Sequence, residues 1–321
     1  MVQKVNNVVR FLSTEEVYRK QVKTDYDPPL LEIYKELEHK STYELIDIAT
    51  RAKNRHQRIF AVYLLGKMDS QNEDIRSTLW KLLSYENVVI RKEAIWALAR
   101  LGDKKIQKKL INLFSENSTE FENNLTARLL GKIGDELSIE PLLSICINSK
   151  DIASLSAGAS IHEIIERIGL TPLLNRLTSI DPKYREEVVW LLSSRAKYLE
   201  TSRERKKIIQ TLLDTYTKEK DFNVRLSIAY NLSVMGIVTG TKELLLLCLS
   251  NQIDPDRESF FWNEVIRAFV SKQKQLTMKI IDQLGDSLHN DELAQELTSA
   301  NQILKNLKKT IGNFDRIFDL L

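Results

Sequence analysis

The stretch Ile90-Arg-Lys-Glu-Ala-Ile-Trp-Ala-Leu-Ala-Arg-Leu-Gly102 decides the fold, because a second stretch much later in the chain repeats its pattern. In Val224-Arg-Leu-Ser-Ile-Ala-Tyr-Asn-Leu-Ser-Val-Met-Gly236, apolar side chains occupy the same relative positions, the first, fifth, ninth and twelfth. This spacing places them on one face of an α-helix. Both stretches close with Gly, which tolerates the left-handed conformation that ends many helices. The pattern therefore predicts two equivalent amphipathic helices.

The same frame fits further segments, which indicates an internal repeat. They are Gln57 to Asp69, Glu122 to Gly134, Ala157 to Gly169, Tyr184 to Ala196 and, less well, the segment around Trp262 to Phe269. The frames end at Asp69, Gly102, Gly134, Gly169, Ala196 and Gly236, in steps of 33, 32, 35, 27 and 40 residues. One hairpin of two helices has about this length. Partner helices are predicted between the frames, for example at Lys104 to Phe114, Leu137 to Ile147 and Thr241 to Leu249.

A second feature of the repeat is an arginine at one fixed position. It is occupied by Arg58, Arg91, Arg185 and Arg225, and each is preceded four residues earlier by Asn54, Asn87, Asp181 or Asp221. Asn and Asp are preferred N-caps of helices. Here the chain resembles the HEAT family, in which an Asp or Asn in the turn and an Arg in the second helix form a ladder between repeats. Since Asn123 and Gly158 replace the Arg in two repeats, the ladder is expected to break there.

The resemblance covers roughly Thr42 to Ser271 and implies an all-α fold. We expect an α-solenoid of about six to seven HEAT-like helical hairpins at 42–271, flanked by helical caps at 1–41 and 272–321, as one continuous elongated domain. Stacking buries the apolar face that a single hairpin leaves open, and the end repeats then need polar-faced caps. The alternative interpretation of the two terminal segments is that they are separate functional arms.

Composition excludes several classes of function. The formal net charge is +3, from 47 basic and 44 acidic residues, which is too small to indicate a nucleic-acid binder from bulk charge. Cys146 and Cys248 lie in apolar runs and are predicted to pack as free thiols rather than to form a disulfide or redox pair. Without a signal segment or a long apolar run, we expect a cytoplasmic protein that does not enter the membrane.

The sequence contains no recognisable catalytic or metal-binding pattern. Its four histidines are scattered, with no Cys or carboxylate at metal-ligand spacing. Phosphate-binding glycine loops, nucleophilic serine motifs and zinc-protease motifs do not occur either. We therefore expect no catalytic residue, no cofactor and no metal.

The candidate site follows from the resemblance, because second helices line the concave surface in the HEAT family. The position two residues after the central small or apolar residue is expected to point outward, and it reads Tyr63, Trp96, Arg128, Glu163, Trp190 and Tyr230. One turn later the chain has Lys67, Arg100, Lys132, Arg167, Ser194 and Val234. Stacking would turn these positions into an aromatic and a basic column, with Tyr63 beside Lys67 and Trp96 beside Arg100. The predicted partner-binding residues are Tyr63, Lys67, Trp96, Arg100, Arg128, Lys132, Arg167, Trp190 and Tyr230.

Both columns also have a purely structural interpretation. Basic residues near helix C-termini are favoured by the helix dipole alone. Large aromatic residues at the edges of repeats can pack between hairpins instead of facing solvent. The sequence leaves these alternatives open.

Three functions are compatible with the repeat. The first is a non-catalytic module that binds a protein partner through an acidic or amphipathic segment, with Glu163 opposing a uniform phosphate track. The second is nucleic-acid binding, with a resemblance to HEAT-like alkylpurine DNA glycosylases. Those enzymes use Trp, Asp and Arg in the groove, whereas the acids beside Trp96 and Trp190 are Glu93 and Glu187, which look like solvated helix charges. The third is a resemblance to the HEAT-like subunits of cyanobacterial bilin lyases, based on the ending Ala-Leu-x-x-Leu-Gly.

Overall fold

A computed structural model describes residues 28–69, 71–114, 118–149, 151–199 and 202–249. Some predictions fall outside these residues: most of the N-terminal cap, the segment around Trp262 to Phe269, the C-terminal cap at 272–321, and the side chain of Cys248. Within the described ranges every regular element is a helix and none is a strand. The predicted all-α fold of helical hairpins is confirmed.

The chain divides into two compact units, residues 1–169 and 170–321. The described helices of the first unit are α1 (Pro28–Glu38), α2 (Thr42–Arg51), α3 (Arg55–Leu65), α4 (Glu73–Leu82), α5 (Val88–Arg100), α6 (Gln107–Ile111), α7 (Glu120–Ile133), α8 (Ile139–Asn148) and α9 (Ile152–Ile168). Short 3-10 turns at Lys104–Ile106 and Glu136–Ser138 precede α6 and α8. In the second unit they are α10 (Thr171–Leu174), the 3-10 turn Asn175–Thr178, α11 (Pro182–Tyr198), α12 (Arg203–Tyr216), α13 (Phe222–Val234) and α14 (Val238–Leu249).

Side-chain caps explain where the helices of the first unit begin. Asn54, Asn72 and Asn87 each accept hydrogen bonds from two backbone amides in the first turn of α3, α4 and α5. Ser41 and Thr119 start α2 and α7 with capping boxes, in which a glutamate three residues later bonds back to the cap. Each cap satisfies amides that have no partner inside the helix.

Glycine ends the repeats in two different ways. Gly102 and Gly169 have φ angles of 76° and 91°, in the left-handed region that the sequence predicts. Gly134 differs, because its φ is −69° and its conformation is extended. A side chain there would approach the carbonyl oxygen of Leu130 to 2.5 Å, so this glycine is required by close packing.

The hairpins stack as the repeat frame predicts. In the first unit the pairs α2–α3, α4–α5, α6–α7 and α8–α9 form hairpins, and their second helices α3, α5, α7 and α9 pack in sequence. The fifth and ninth positions of every described frame are buried. In α5, for example, these are Ala94 and Leu98, both fully buried. The 27-residue step corresponds to α10, which is only one turn long, followed by a 3-10 turn.

The arginines of the ladder bind backbone carbonyls and neighbouring hairpins. Arg58 donates through Nε to the carbonyl of Ala49, at 3.0 Å, and through Nη2 to that of Thr50, at 2.6 Å, at the end of α2. Its guanidinium also bonds the Tyr85 hydroxyl and lies 4.1 Å from the centroid of the Tyr85 ring, in the next hairpin. Arg58 thus joins α2, α3 and the turn after α4.

The ladder takes a second form in the other unit. Arg185 on α11 donates through Nε and Nη2 to the two carboxylate oxygens of Glu219, at 2.7 and 2.9 Å. These hydrogen bonds hold the pKa of Glu219 below its ordinary value. Asp181, four residues before Arg185, instead caps its own helix by accepting from the amide of Lys183. The Asn or Asp member of the predicted pair is therefore a helix cap, and two of the arginines, Arg58 and Arg185, make contacts with the next hairpin.

Candidate binding groove

The aromatic residues expected on the outside of the first unit are buried, which corrects that prediction. Tyr63 is 2% exposed and Trp96 is 6% exposed. The indole Nε1 of Trp96 donates to the hydroxyl of Thr126 on α7, at 3.1 Å. Tyr63 lies 6.4 Å from the ring of Tyr34 on α1. Because second helices pack against one another, a position turned away from the hairpin partner meets the adjacent repeat instead of solvent.

Trp190 and Tyr230 lie in the other unit and are more accessible. Trp190, on α11, is 51% exposed, and Tyr230, on α13, is half-buried. They form no part of the groove described below, which lies within the first unit. Their role in partner binding stays a prediction.

Tyr63 is the meeting point of the first two basic residues. Lys67 Nζ lies 5.6 Å and Arg100 Cζ 4.8 Å from the centroid of its ring. Arg100 therefore stacks on the aromatic residue of the preceding repeat, and the expected pairing with Trp96 is wrong. Its Nη1 also donates to Glu93, at 2.8 Å. Glu93 is 2% exposed, so its interpretation as a solvated helix charge is wrong as well.

The next two basic residues reach back to the ends of preceding helices. Lys132 Nζ donates to the carbonyl of Arg100 at 2.6 Å, where α5 ends. Arg167 Nη2 donates to the carbonyl of Gly134 at 2.8 Å, where α7 ends. Helix C-termini carry partial negative charge, so each cation stabilises the helix end of the repeat before it. The four residues of the predicted basic column therefore contact the protein itself and have a structural role.

A groove of about 750 Å³ opens beside this column. One wall is α7, which contributes Arg128 and Lys132, and the other is α9, which contributes Glu163 and Glu166. The complete lining is Arg100, Leu125, Arg128, Leu129, Lys132, Ser156, Ala159, Ser160, Glu163, Glu166 and Arg167. Four predicted site residues, Arg100, Arg128, Lys132 and Arg167, are thereby brought together.

Small residues hold the two walls close together. A Cβ on Gly131 of α7 would lie 2.7 Å from Glu163 Oε2 and from Ser160 Oγ, both on α9. Nearer the start of the helices, Ser156 donates to Asn124 at 2.7 Å. The Glu163 carboxylate is therefore held above the surface of α7 at the edge of the groove.

Several lining residues were missed by the sequence analysis. Ser156, Ser160 and Glu166 line the groove but belong to neither column. Their spacing on α9 contained a usable signal, because residues three and four apart share a helix face with Glu163. Leu125 and Leu129 of α7 supply the apolar part of the floor.

Three further observations concern the described part of the chain. Its His, Cys, Asp and Glu residues form no group of three or more that could hold a metal ion. Cys146 is a buried free thiol, as predicted. Among the described helices, none is both long and apolar enough to cross a membrane.

A comparison with protein families identifies the repeat. The model described as HEAT repeats matches residues 42–121, from α2 into the start of α7. This segment consists of HEAT repeats. The resemblance inferred from the arginine and cap positions is confirmed there. No curated protein matches the chain in sequence.

Solved structures with similar chains include natural and designed repeat proteins. The complex of CpcE and CpcF of the phycocyanin lyase from Nostoc is 13% identical, with a TM-score of 0.36, and the match covers 84% of this chain and 95% of that one. YibA from E. coli is 15% identical, with a TM-score of 0.34 and coverage of 86% and 96%. A designed armadillo repeat protein in complex with the peptide (KR)4 is 16% identical, with a TM-score of 0.31 and coverage of 64% and 100%.

Proposed function

We propose that this protein is a non-catalytic binding module that holds a peptide segment of a protein partner in the groove between α7 and α9. The observation that carries the proposal is the convergence of four cationic residues on one groove with a partly apolar floor. A peptide with acidic and apolar side chains matches such a lining. HEAT repeats in residues 42–121 support a role in macromolecular binding.

The proposal divides the predicted site residues by role. Arg100, Arg128, Lys132 and Arg167 line the groove, and Lys67 extends the basic column beyond it. Tyr63 and Trp96 act in packing between repeats. Trp190 and Tyr230 are proposed as a separate contact surface of the second unit. The domain division at residues 42 and 271 and the cytoplasmic location also remain proposals.

Nucleic acid is the second candidate partner, because the lining contains four cations. Two observations oppose it. Glu163 and Glu166 lie among the cations and would repel a phosphate backbone. Trp96 is buried with its indole nitrogen bonded to Thr126, so it cannot stack on a nucleobase as in a glycosylase groove.

The test is a selection of short random displayed peptides on the purified full-length protein, in parallel with fluorescent DNA and RNA oligonucleotides. The double variant R128E/K132E should weaken binding of the recovered peptides about tenfold or more, because reversed charges repel an acidic segment. K108E/K109E is the matched control, since it makes the same charge change at two exposed lysines of α6 outside the groove.

Two results would contradict the proposal. One is a failure to recover any peptide whose binding depends on Arg128 and Lys132. The other is tight binding of oligonucleotides that R128E/K132E abolishes and K108E/K109E preserves, which would favour nucleic acid. Circular dichroism of each variant checks that the helices remain intact.

A further inference from the structure

The groove has walls of opposite charge. Arg128 and Lys132 project from α7, whereas Glu163 and Glu166 project from α9. Both glutamates are exposed, and neither carboxylate takes part in an ion pair within the described part of the chain. The negative charges of Glu163 and Glu166 are therefore not neutralised by an ion pair with the basic residues of the opposite wall.

Three cations of the groove also contact other groups of the protein. Arg100 is paired with the buried Glu93, and Lys132 and Arg167 donate to the carbonyls that end α5 and α7. Glu93 thus offsets the charge of Arg100, whereas Lys132 and Arg167 keep their charge but each have one hydrogen-bond donor occupied. With two unpaired carboxylates beside them, the groove does not attract anions along its whole width.

We infer that the groove between α7 and α9 selects a peptide segment carrying both signs of charge, acidic side chains on the side of Arg128 and Lys132 and a Lys or Arg on the side of Glu163 and Glu166. This inference rests on the proposed function and specifies the chemistry of the partner. A purely acidic segment would be repelled by Glu163 and Glu166, and a purely basic segment would be repelled by Arg128 and Lys132. Like charges brought together oppose wrong partners, so the two walls fix both the identity and the direction of the bound segment.

The groove itself favours a peptide over a compact small molecule. Small-molecule pockets have volumes of about 300 to 1,000 Å³ but are mostly apolar, with few polar groups. The volume of this groove is similar, but six of its eleven lining residues are ionisable. The apolar lining residues are Leu125, Leu129 and Ala159. A peptide that alternates charges between two sides satisfies both walls while an apolar side chain covers the floor.

The experiment uses the peptides recovered by the groove-dependent selection, resynthesised in matched forms. In one form each Lys or Arg becomes Gln, and in the other each Glu or Asp becomes Gln or Asn. Removing the basic residues should weaken binding to the unmodified protein about threefold to tenfold, the range of a few partly exposed ion pairs. Removing the acidic residues should weaken it by at least as much.

The protein variant E163Q/E166Q locates the effect. It should bind the original peptide as weakly as the unmodified protein binds the Lys-free form, and it should no longer distinguish the two peptides. E32Q/E36Q is the matched control, because it removes two exposed glutamates of α1 that lie outside the groove. This variant should still bind the original peptide about threefold to tenfold more tightly than the Lys-free form.

The outcomes separate the inference from the proposed function. If the Lys-free peptide binds as tightly as the original, or E163Q/E166Q still distinguishes the two, the inference is overturned while groove binding of a peptide stands. If the selection gives no groove-dependent peptide, the proposed function fails and the inference fails with it. Melting temperatures of the variants guard against loss of folding as the cause.

Discussion

The second helices of the first unit are joined in two different ways. Arg58 ties α3 to α2 of its own hairpin and to Tyr85 of the next one, and on α5 Arg91 donates to the carbonyls of Tyr85 and Glu86 in the turn of its own hairpin, both at 2.7 Å. On α7 and α9 the equivalent residues are Asn123 and Gly158, and these helices instead meet at Gly131 and Ser160. The groove lies between the pair that lacks the arginines. The arginine position thus stabilises the hairpins of α3 and α5, and it is lost in the two helices that form the walls of the proposed binding groove.

The largest expected effect is at Trp96. Its indole nitrogen donates a hydrogen bond to Thr126 and so joins α5, which carries a ladder arginine, to α7, which does not. Trp96→Ala should lower the free energy of unfolding by about 3 to 5 kcal/mol, because it leaves a large cavity in a packed interface. Urea denaturation followed by circular dichroism measures the change. Thr126→Val is the milder companion variant and should cost about 1 to 3 kcal/mol, because it leaves the buried indole N–H without an acceptor.

This prediction also tests the correction to the aromatic column. If Trp96→Ala weakened peptide binding while stability stayed unchanged, Trp96 would belong to the binding surface after all. A loss of stability with unchanged affinity of the folded fraction supports its assignment to packing.

The next prediction compares the two residues at the ladder position of neighbouring repeats, Arg91 on α5 and Asn123 on α7. Arg91→Ala should cost about 2 kcal/mol, because a charged donor loses two backbone acceptors. Asn123→Ala should change stability by less than about 0.5 kcal/mol, since the buried Oδ1 of Asn123 has no hydrogen-bond partner to lose. Equal losses at the two positions, measured by urea denaturation, would show that the ladder does not break at α7.

The close contact of α7 and α9 is tested by Gly131→Ala. Alanine gains about 1 kcal/mol of helix propensity over glycine, but its Cβ would lie 2.9 Å from the Cβ of Ser160. We expect a net loss of about 1 to 2 kcal/mol from overpacking. In a double-mutant cycle, Ser160→Gly should remove part of this loss, whereas strictly additive effects would mean that the two residues are not in steric contact.

The sequence predicted the repeat well because a helical period fixes which residues face the hairpin core. Ala94 and Leu98 are buried where the frame places them. It failed where burial depends on the neighbouring repeat, since one helix does not reveal what covers its other sides. Trp96 and Glu93 were expected in solvent for that reason, and both are covered in the stack.

The candidate site was predicted only in part for a related reason. The basic column is regular, so Arg100, Lys132 and Arg167 were found from their register. The groove beside it depends on the close approach at Gly131, which periodicity does not express. Glu166 was therefore missed, although it shares a helix face with Glu163.

The smallest effect concerns the cap that starts α5. This is the last second helix before the groove that carries an arginine at the ladder position. The Oδ1 of Asn87 accepts from the amides of Val89 at 3.0 Å and Ile90 at 3.3 Å. Asn87→Ala should therefore cost about 1 kcal/mol, and Asn87→Gly only a few tenths, because glycine tolerates the cap conformation and leaves the amides open to water. Asn87→Asp should match or exceed the original, since it keeps the acceptor and adds a negative charge at the helix N-terminus. The expected order of urea midpoints is Asp at or above Asn, then Gly, then Ala. If instead the three variants were equally destabilised, the amide group of Asn87 would stabilise the protein through a contact other than the cap. The hairpin of α5 would then differ from that of α7, which Thr119 caps, by more than the presence of Arg91.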